Sequence, residues 1–285
     1  MLETLINPMQ ASKSPWKMFF IGLVYASLAI LLVHWIFSGD PALAKFSGMI
    51  VVTFSVMFVL PFMYYLIKQE ENDDEYAEGF FSVWSAHSDA IFAFMWLFLG
   101  FVIAFSFWFI ILEDNNLFNA QIETYCSINH QGDIGNCISQ YQFKDSGVTG
   151  EVTGRTSYLL SILENNAYVM IITLIFSLIF GAGVIFILAW NASVIAAAIA
   201  IFTKYSINDI PLGLLRYMIH GFPEIAAYFI TALAGGIFGV GIIRNGFKGK
   251  KLIKIIENTL ILLFIAIVIL VAAAFVEVYI TPSLF

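Results

Sequence analysis

The residues best placed to do chemistry are His220-Gly221-Phe222-Pro223-Glu224, an imidazole and a carboxyl group at the edge of a long apolar stretch. Inside a membrane a charged side chain costs about 2.5–3.5 kcal/mol on insertion scales, so each one needs a partner or a purpose. Two readings fit. In the first, Pro223 opens a helix, since its missing N–H would be unbonded in a first turn anyway, and Glu224 offsets the positive end of the helix dipole. In the second, His220 and Glu224 form a proton, ion or substrate site facing the bundle interior.

The helix that this expectation starts at Pro223 carries Glu224, Ala227, Thr231, Gly235 and Gly239 on one side, within about 120° at 100° per residue. Gly235 and Gly239 make a GxxxG pair, so this face is expected to pack closely on another helix and Glu224 to point into protein. Self-association through this small-residue helix is expected to give a homo-oligomer.

Glu277 near the end of the last apolar stretch is a second embedded carboxyl group, or one that reaches water at the interface. Asn191 is expected to cap a broken helix; the alternative is a place in an intramembrane polar site with His220, Glu224 and Glu277. Asn191-Ala192-Ser193 matches a glycosylation sequon, but its membrane position argues against use. His34 reads as a hydrogen-bonded core group.

No enzyme signature is present: there is no HExxH zinc pair, no GxSxG elbow and no phosphate-binding glycine loop. The reading is therefore non-enzymatic, with no cofactor and no metal. Pro223 is expected to interrupt any helix through both His220 and Glu224, which leaves hydrolysis inside the membrane a minor possibility.

The elements that hold these groups follow from composition. Of the 285 residues, 60% are apolar, 16% aromatic and only 12% charged, with a mean hydropathy of +0.89. A soluble domain carries about 25% charged residues, so this chain lacks the hydrated groups to keep a surface wet. Disorder, collagen and disulfide-rich secreted scaffolds are excluded likewise. A net charge of −7 and a pI near 5.0 argue against nucleic acid as a partner. What remains is an integral membrane protein, with membrane lipids around it.

A spanning helix needs about 20 apolar residues. Charge-free intervals of that size run from Lys17 to Asp40, Lys45 to Lys68, Asp89 to Glu113, Glu224 to Arg244 and Glu257 to Glu277. The interval from Glu164 to Lys204 is nearly twice as long, broken at Gly181-Ala182-Gly183 and at Trp190-Asn191-Ala192-Ser193. The apolar unit 165–203 either crosses twice as two short helices or crosses once and re-enters. The runs are continuous rather than alternating, which excludes a β-barrel. The fold class is all-α and polytopic, with six to seven transmembrane helices.

The expected organisation is an interfacial amphipathic helix over 1–15, then three spans within 16–112 with an acidic inner segment at 68–88. An extracytoplasmic loop follows over 113–164, and a C-terminal membrane domain over 165–285. Leu2, Leu5, Ile6 and Met9 recur at helical spacing, and Trp16 with Lys17 would anchor the first span. Cys126 and Cys137 lie in the polar loop, which suggests a disulfide on the outer face of a cell membrane; free thiols are the alternative. His130 between them makes an incomplete metal set. An outer loop after three spans places the N-terminus in the cytoplasm.

Two crossings in the long interval put Arg244, Lys248, Lys250, Lys251 and Lys254 inside, in line with the positive-inside rule. That favours seven spans. The acidic residues of the loop and of Glu70–Glu78 read as solvated surface or as docking sites for basic partners. Phe80-Phe81-Ser82-Val83-Trp84 reads as an interfacial helix leading into the third span.

Taken in order, the C-terminal residues resemble the stage II sporulation protein M family. The features that carry the likeness are Asn165-Asn166, the Gly181-Ala182-Gly183 break, Asn191, His220-Gly221-x-x-Glu224, Ala232-Leu233-Ala234-Gly235-Gly236 and Glu277-Val278-Tyr279-Ile280-Thr281-Pro282. The family typically has proline before its His-Gly; here Ile219 stands there, and Pro223 precedes Glu224. The N-terminal half has the character of longer, archaeal-like members. The resemblance implies a membrane scaffold that recruits protein partners, because the founding member works with peptidoglycan-degrading proteins during engulfment. A looser likeness to exporter permeases implies the alternative, a permease or lipid-handling subunit.

Overall fold

The protein is described as a computed structural model covering residues 15–37, 39–40, 43–74, 79–112, 115–129, 134–142, 155–180, 185–245 and 250–284. The expected N-terminal amphipathic helix falls outside these residues, as does His130. Among the described residues nine main helices follow one another: α1 (Lys17–Phe37), α2 (Ser47–Asp74), α3 (Phe80–Leu112), α4 (Asn119–Asn129), α5 (Ile134–Gln142), α6 (Arg155–Phe180), α7 (Ile185–Phe202), α8 (Ile210–Asn245) and α9 (Lys250–Phe275). A π turn (Val276–Ile280) and a last short helix, α10 (Thr281–Leu284), continue α9. No strand occurs among the described residues.

Among the described residues seven helices are long and apolar enough to cross a membrane: α1, α2, α3, α6, α7, α8 and α9. The long apolar interval is thus two helices, α6 and α7, each long and apolar enough to cross. Its first helix begins ten residues upstream of Asn165, at Arg155, and takes Glu164 into its exposed side. Counting uncharged residues set that boundary too late, because one carboxylate on an outward face does not stop a helix.

Two further expectations are corrected. Helix α8 does not begin at Pro223 but runs unbroken through it for 36 residues. The proline leaves the carbonyl of Ile219 without its intrahelical donor. Packed transmembrane helices tolerate this because neighbours and local adjustment can satisfy the freed group. Helix α7 likewise runs straight through Asn191, whose Nδ2 donates to the Ile187 carbonyl of its own preceding turn at 2.8 Å instead of capping a break.

The bundle shares one core. Close crossings rely on glycine where backbones meet: a Cβ at Gly22 would overlap the Leu97 carbonyl, and one at Gly100 the Phe19 carbonyl. Helix α1 therefore lies directly on α3, and Trp108 Nε1 donates to Ser27 Oγ at 2.9 Å across the same interface. Phenylalanines fill the centre. Phe94 stacks on Phe229 at 4.9 Å, and Phe109 on Phe118 at 4.4 Å.

The polar loop after α3 is more structured than its composition implies. Leu117, Phe118, Gln121, Ile122 and Cys126 are all buried. Gln121 Nε2 donates to the Gly48 carbonyl at 3.0 Å and to Ser193 Oγ at 3.2 Å, tying α4 to α2 and α7. Cys126 and Cys137 form a disulfide that joins α4 to α5. Phe109, near the end of α3, meets Tyr205 edge-on just before α8, so the start of α8 lies at this same end of the bundle.

Candidate functional site

Three helices converge on one polar cluster. Helix α8 contributes His220, Glu224 and Tyr228, one turn apart along a single face, because the helix is continuous through Pro223. Helix α6 contributes Tyr158 and Asn166, and the end of α9 contributes Glu277 and Thr281 through the π turn. A π turn widens the backbone by one residue and occurs often at functional sites. Pro282 gives it a local cause: its ring would crowd the carbonyl four residues back, and it has no N–H to donate there.

The hydrogen bonds form a connected set. Asn166 Nδ2 donates to Glu224 Oε1 at 2.7 Å, and Tyr228 donates its hydroxyl hydrogen to Asn166 Oδ1 at 2.9 Å. The carboxyl groups of Glu224 and Glu277 are neighbours in this cluster, and the Tyr158 hydroxyl lies on the Glu277 side of it. His220 Nδ1 meets Thr281 Oγ1 at 3.2 Å, and the Tyr217 ring lies against its imidazole at 6.4 Å. Asn166 and Tyr228 are buried, while His220, Glu224 and Glu277 are half-buried.

Chemically this is a place to hold a proton. Ionised carboxylates only accept hydrogen bonds, so two neighbouring carboxyl groups can bond to each other only when a hydrogen sits on one of them. The phenols and the Asn166 amide supply further donors and acceptors to the same oxygens. Among the described residues no group of His, Cys, Asp and Glu is arranged to hold a metal ion.

The structure brings His220, Glu224 and Glu277 to one cluster and leaves Asn191 out of it, on α7 with its bond to Ile187. Ala227, Thr231, Gly235 and Gly239 do line one face of α8, and that face packs on α6. A Cβ at Gly235 would overlap Ser177 Oγ, and one at Gly239 would come within 2.8 Å of the Leu178 carbonyl. Thr231 is buried and bonds back to the Ala227 carbonyl at 2.8 Å. The small-residue face therefore packs within the chain. Tyr158 and Tyr228 had no signal of their own in the sequence. Asn166 and Thr281 appeared only through the family likeness, although an asparagine in an apolar run is itself a flag.

A model of the family described as stage II sporulation protein M matches residues 95–282. The chain belongs to this family. The matched region of the stage II sporulation protein M family begins at Met95, midway along α3, so it reaches further upstream than the C-terminal residues that carried the resemblance. It contains the whole polar cluster and the disulfide-linked helices. An uncharacterized protein of Methanocaldococcus jannaschii is 36% identical over 129 residues, which is 44% of this chain and 71% of that protein. No solved structure matches the chain significantly.

Proposed function

We propose that this member of the stage II sporulation protein M family is a permease-type, non-enzymatic membrane unit whose working site is the Glu224–Glu277 pair, and that the site handles protons. The observation that supports this is the convergence of two carboxyl groups from different helices on one cluster inside the bundle, with Asn166, Tyr158 and Tyr228 around them. Membrane-embedded carboxyl groups that face the protein interior are the usual components of proton relays and ion pathways. The test is reconstitution into liposomes under an imposed pH gradient. The expected result is proton movement above protein-free liposomes that Glu224→Gln and Glu277→Gln abolish while the protein still folds. Flux equal to empty liposomes, or flux indifferent to both substitutions, would overturn the reading.

A second reading, the membrane scaffold, draws support from a different feature. Helices α4 and α5 are tied together by the Cys126–Cys137 disulfide and anchored in the bundle through Leu117, Phe118 and Ile122, which gives protein partners a fixed surface at one membrane face. On this reading replacement of 113–165 loses partners, whereas Glu224→Gln has no effect. The orientation proposed with either reading has the N-terminus in the cytoplasm and the disulfide outside. A homo-oligomer would have to use a face other than the small-residue side of α8.

A further inference from the structure

The π turn at the end of α9 is organised around one carbonyl. The Val276 oxygen accepts the backbone N–H of Thr281, the bond that closes the wider ring, and also the Thr281 hydroxyl at 3.3 Å. A carbonyl has two lone pairs, so it can meet both donations. Glu277 is the next residue, so whatever fixes the Val276 peptide also fixes the backbone from which that carboxyl group joins the cluster. Thr281 is buried, and its hydroxyl must find its partners within the protein.

The same hydroxyl meets His220 Nδ1 at 3.2 Å. A hydroxyl has one hydrogen to give, whereas a carbonyl can only accept. Both contacts are hydrogen bonds in one arrangement alone: the Thr281 hydrogen goes to Val276, and the hydrogen on Nδ1 goes to Thr281. Turning the hydroxyl toward His220 forfeits one of the two, each worth about 0.6 kcal/mol and up to about 1.7 between membrane helices. A neutral imidazole carries hydrogen on one nitrogen only, so Nδ1–H leaves Nε2 as the acceptor. His87 gives the contrast. Its Nδ1 lies 2.8 Å from Glu70 Oε2 where α2 meets α3, which takes Glu70 out of the acidic run expected to be solvated surface. There either partner can carry the hydrogen between them, and the contact leaves the tautomer open. At His220 the partner's hydrogen is already committed.

We infer that Thr281 is the positioning residue of the carboxyl site: it orients His220 in the Nδ1–H form, with Nε2 as the ring's proton acceptor, and it holds the π turn that carries Glu277. The inference rests on the reading that the Glu224–Glu277 site handles protons. A hydronium ion that reaches the ring gives one proton to the Nε2 lone pair and leaves as water. The imidazolium so formed keeps its Nδ1–H on Thr281, so the hydroxyl and the π turn stay in place whether the ring is loaded or empty. No bond other than those to hydrogen forms or breaks.

The experiment uses the full chain with isotopically labelled histidine rings, in detergent micelles at alkaline pH where the ring is neutral. Proton–nitrogen correlation spectra report which ring nitrogen carries hydrogen, and His220→Gln identifies the His220 signals by their loss. Wild type is expected to show hydrogen on Nδ1, Thr281→Val to move much of it to Nε2, and Thr281→Ser, which keeps the hydroxyl, to restore Nδ1–H. A residue that only stabilised the fold would change the melt without moving the ring hydrogen. The same variants then go into phosphatidylcholine–phosphatidylglycerol liposomes that enclose a pH-sensitive dye. There Thr281→Val is expected to lower the initial rate of proton entry severalfold and Thr281→Ser to recover most of it. Thr281→Ala serves if Thr281→Val does not fold, and the wild-type spectrum needs neither. Hydrogen on Nε2 in wild type, an unchanged signal in Thr281→Val, or a Thr281→Val rate equal to wild type would overturn the part given to Thr281. No flux in wild type alongside hydrogen on Nδ1 would overturn proton handling and leave the Thr281 arrangement standing.

Discussion

Asn166 is the hub through which α6 is bonded to α8, and deleting its side chain gives a test whose size can be worked out beforehand. Asn166→Ala removes the 2.7 Å donation to Glu224 and the 2.9 Å acceptance from Tyr228. Side-chain hydrogen bonds between membrane helices measure about 0.6 kcal/mol on average and up to about 1.7. Two of them make about 1–3 kcal/mol, a factor of about 5 to 140 in the folding equilibrium. Asn165 is the built-in control: it is exposed, and its amide makes one long contact of 3.5 Å with Asn166. Reversible unfolding by detergent titration in mixed micelles should show Asn166→Ala losing well over Asn165→Ala. A double-mutant cycle with Tyr228→Phe should return about 0.6–1.7 kcal/mol of coupling for that one bond. Equal losses for the two asparagines, together with zero coupling, would refute the hub.

Other expectations follow from single features. Gly235→Val puts a branched side chain where Ser177 Oγ and the Leu174 carbonyl already stand, so α6 must move away and detergent stability should fall more than for Ala232→Val. Gly100→Val should do the same at the α1–α3 crossing, and a melt unchanged from wild type would contradict the close approach there. Reducing Cys126–Cys137, or replacing both by serine, opens a short loop and should cost about 3 kcal/mol by chain entropy, read as a lowered unfolding midpoint and slower migration on a non-reducing gel. A cysteine introduced at Gly249 should resist a membrane-impermeant thiol reagent in intact cells; ready labelling from outside would reverse the proposed orientation.

Much of the architecture was legible because it depends on one-dimensional quantities. Charge-free length locates spans, and the five ordinary intervals each hold one helix long and apolar enough to cross a membrane. The doubled interval resolved into α6, which ends at Phe180, and α7, which begins at Ile185. The errors arose where a local rule met a tertiary override. Pro223 favours a helix start in isolation, yet the packed neighbours of α8 carry the helix through it. Glu164 looks like an interface marker, yet it sits on the outward side of α6.

The site was half legible for the same reason. His220, Glu224 and Glu277 stood out because ionisable groups are rare in such a chain, whereas Tyr158 and Tyr228 are ordinary aromatics until a carboxyl group is known to be beside them. The Glu70–His87 contact joins residues on two helices, and no spacing along the chain encodes it.

The proline inside α8 separates two attachments with different owners. Upstream of it, His220 is held by Thr281 at the far end of α9's continuation; downstream, Glu224 is held by Asn166 on α6. A helix missing one rung bends most readily there. The two halves of α8 are therefore moored to different posts, like a gate hung from one side and latched from the other. Any bend at Pro223 must stretch one mooring or slacken the other, so the distance between His220–Thr281 and Glu224–Asn166 works as a built-in gauge of how α8 is flexed.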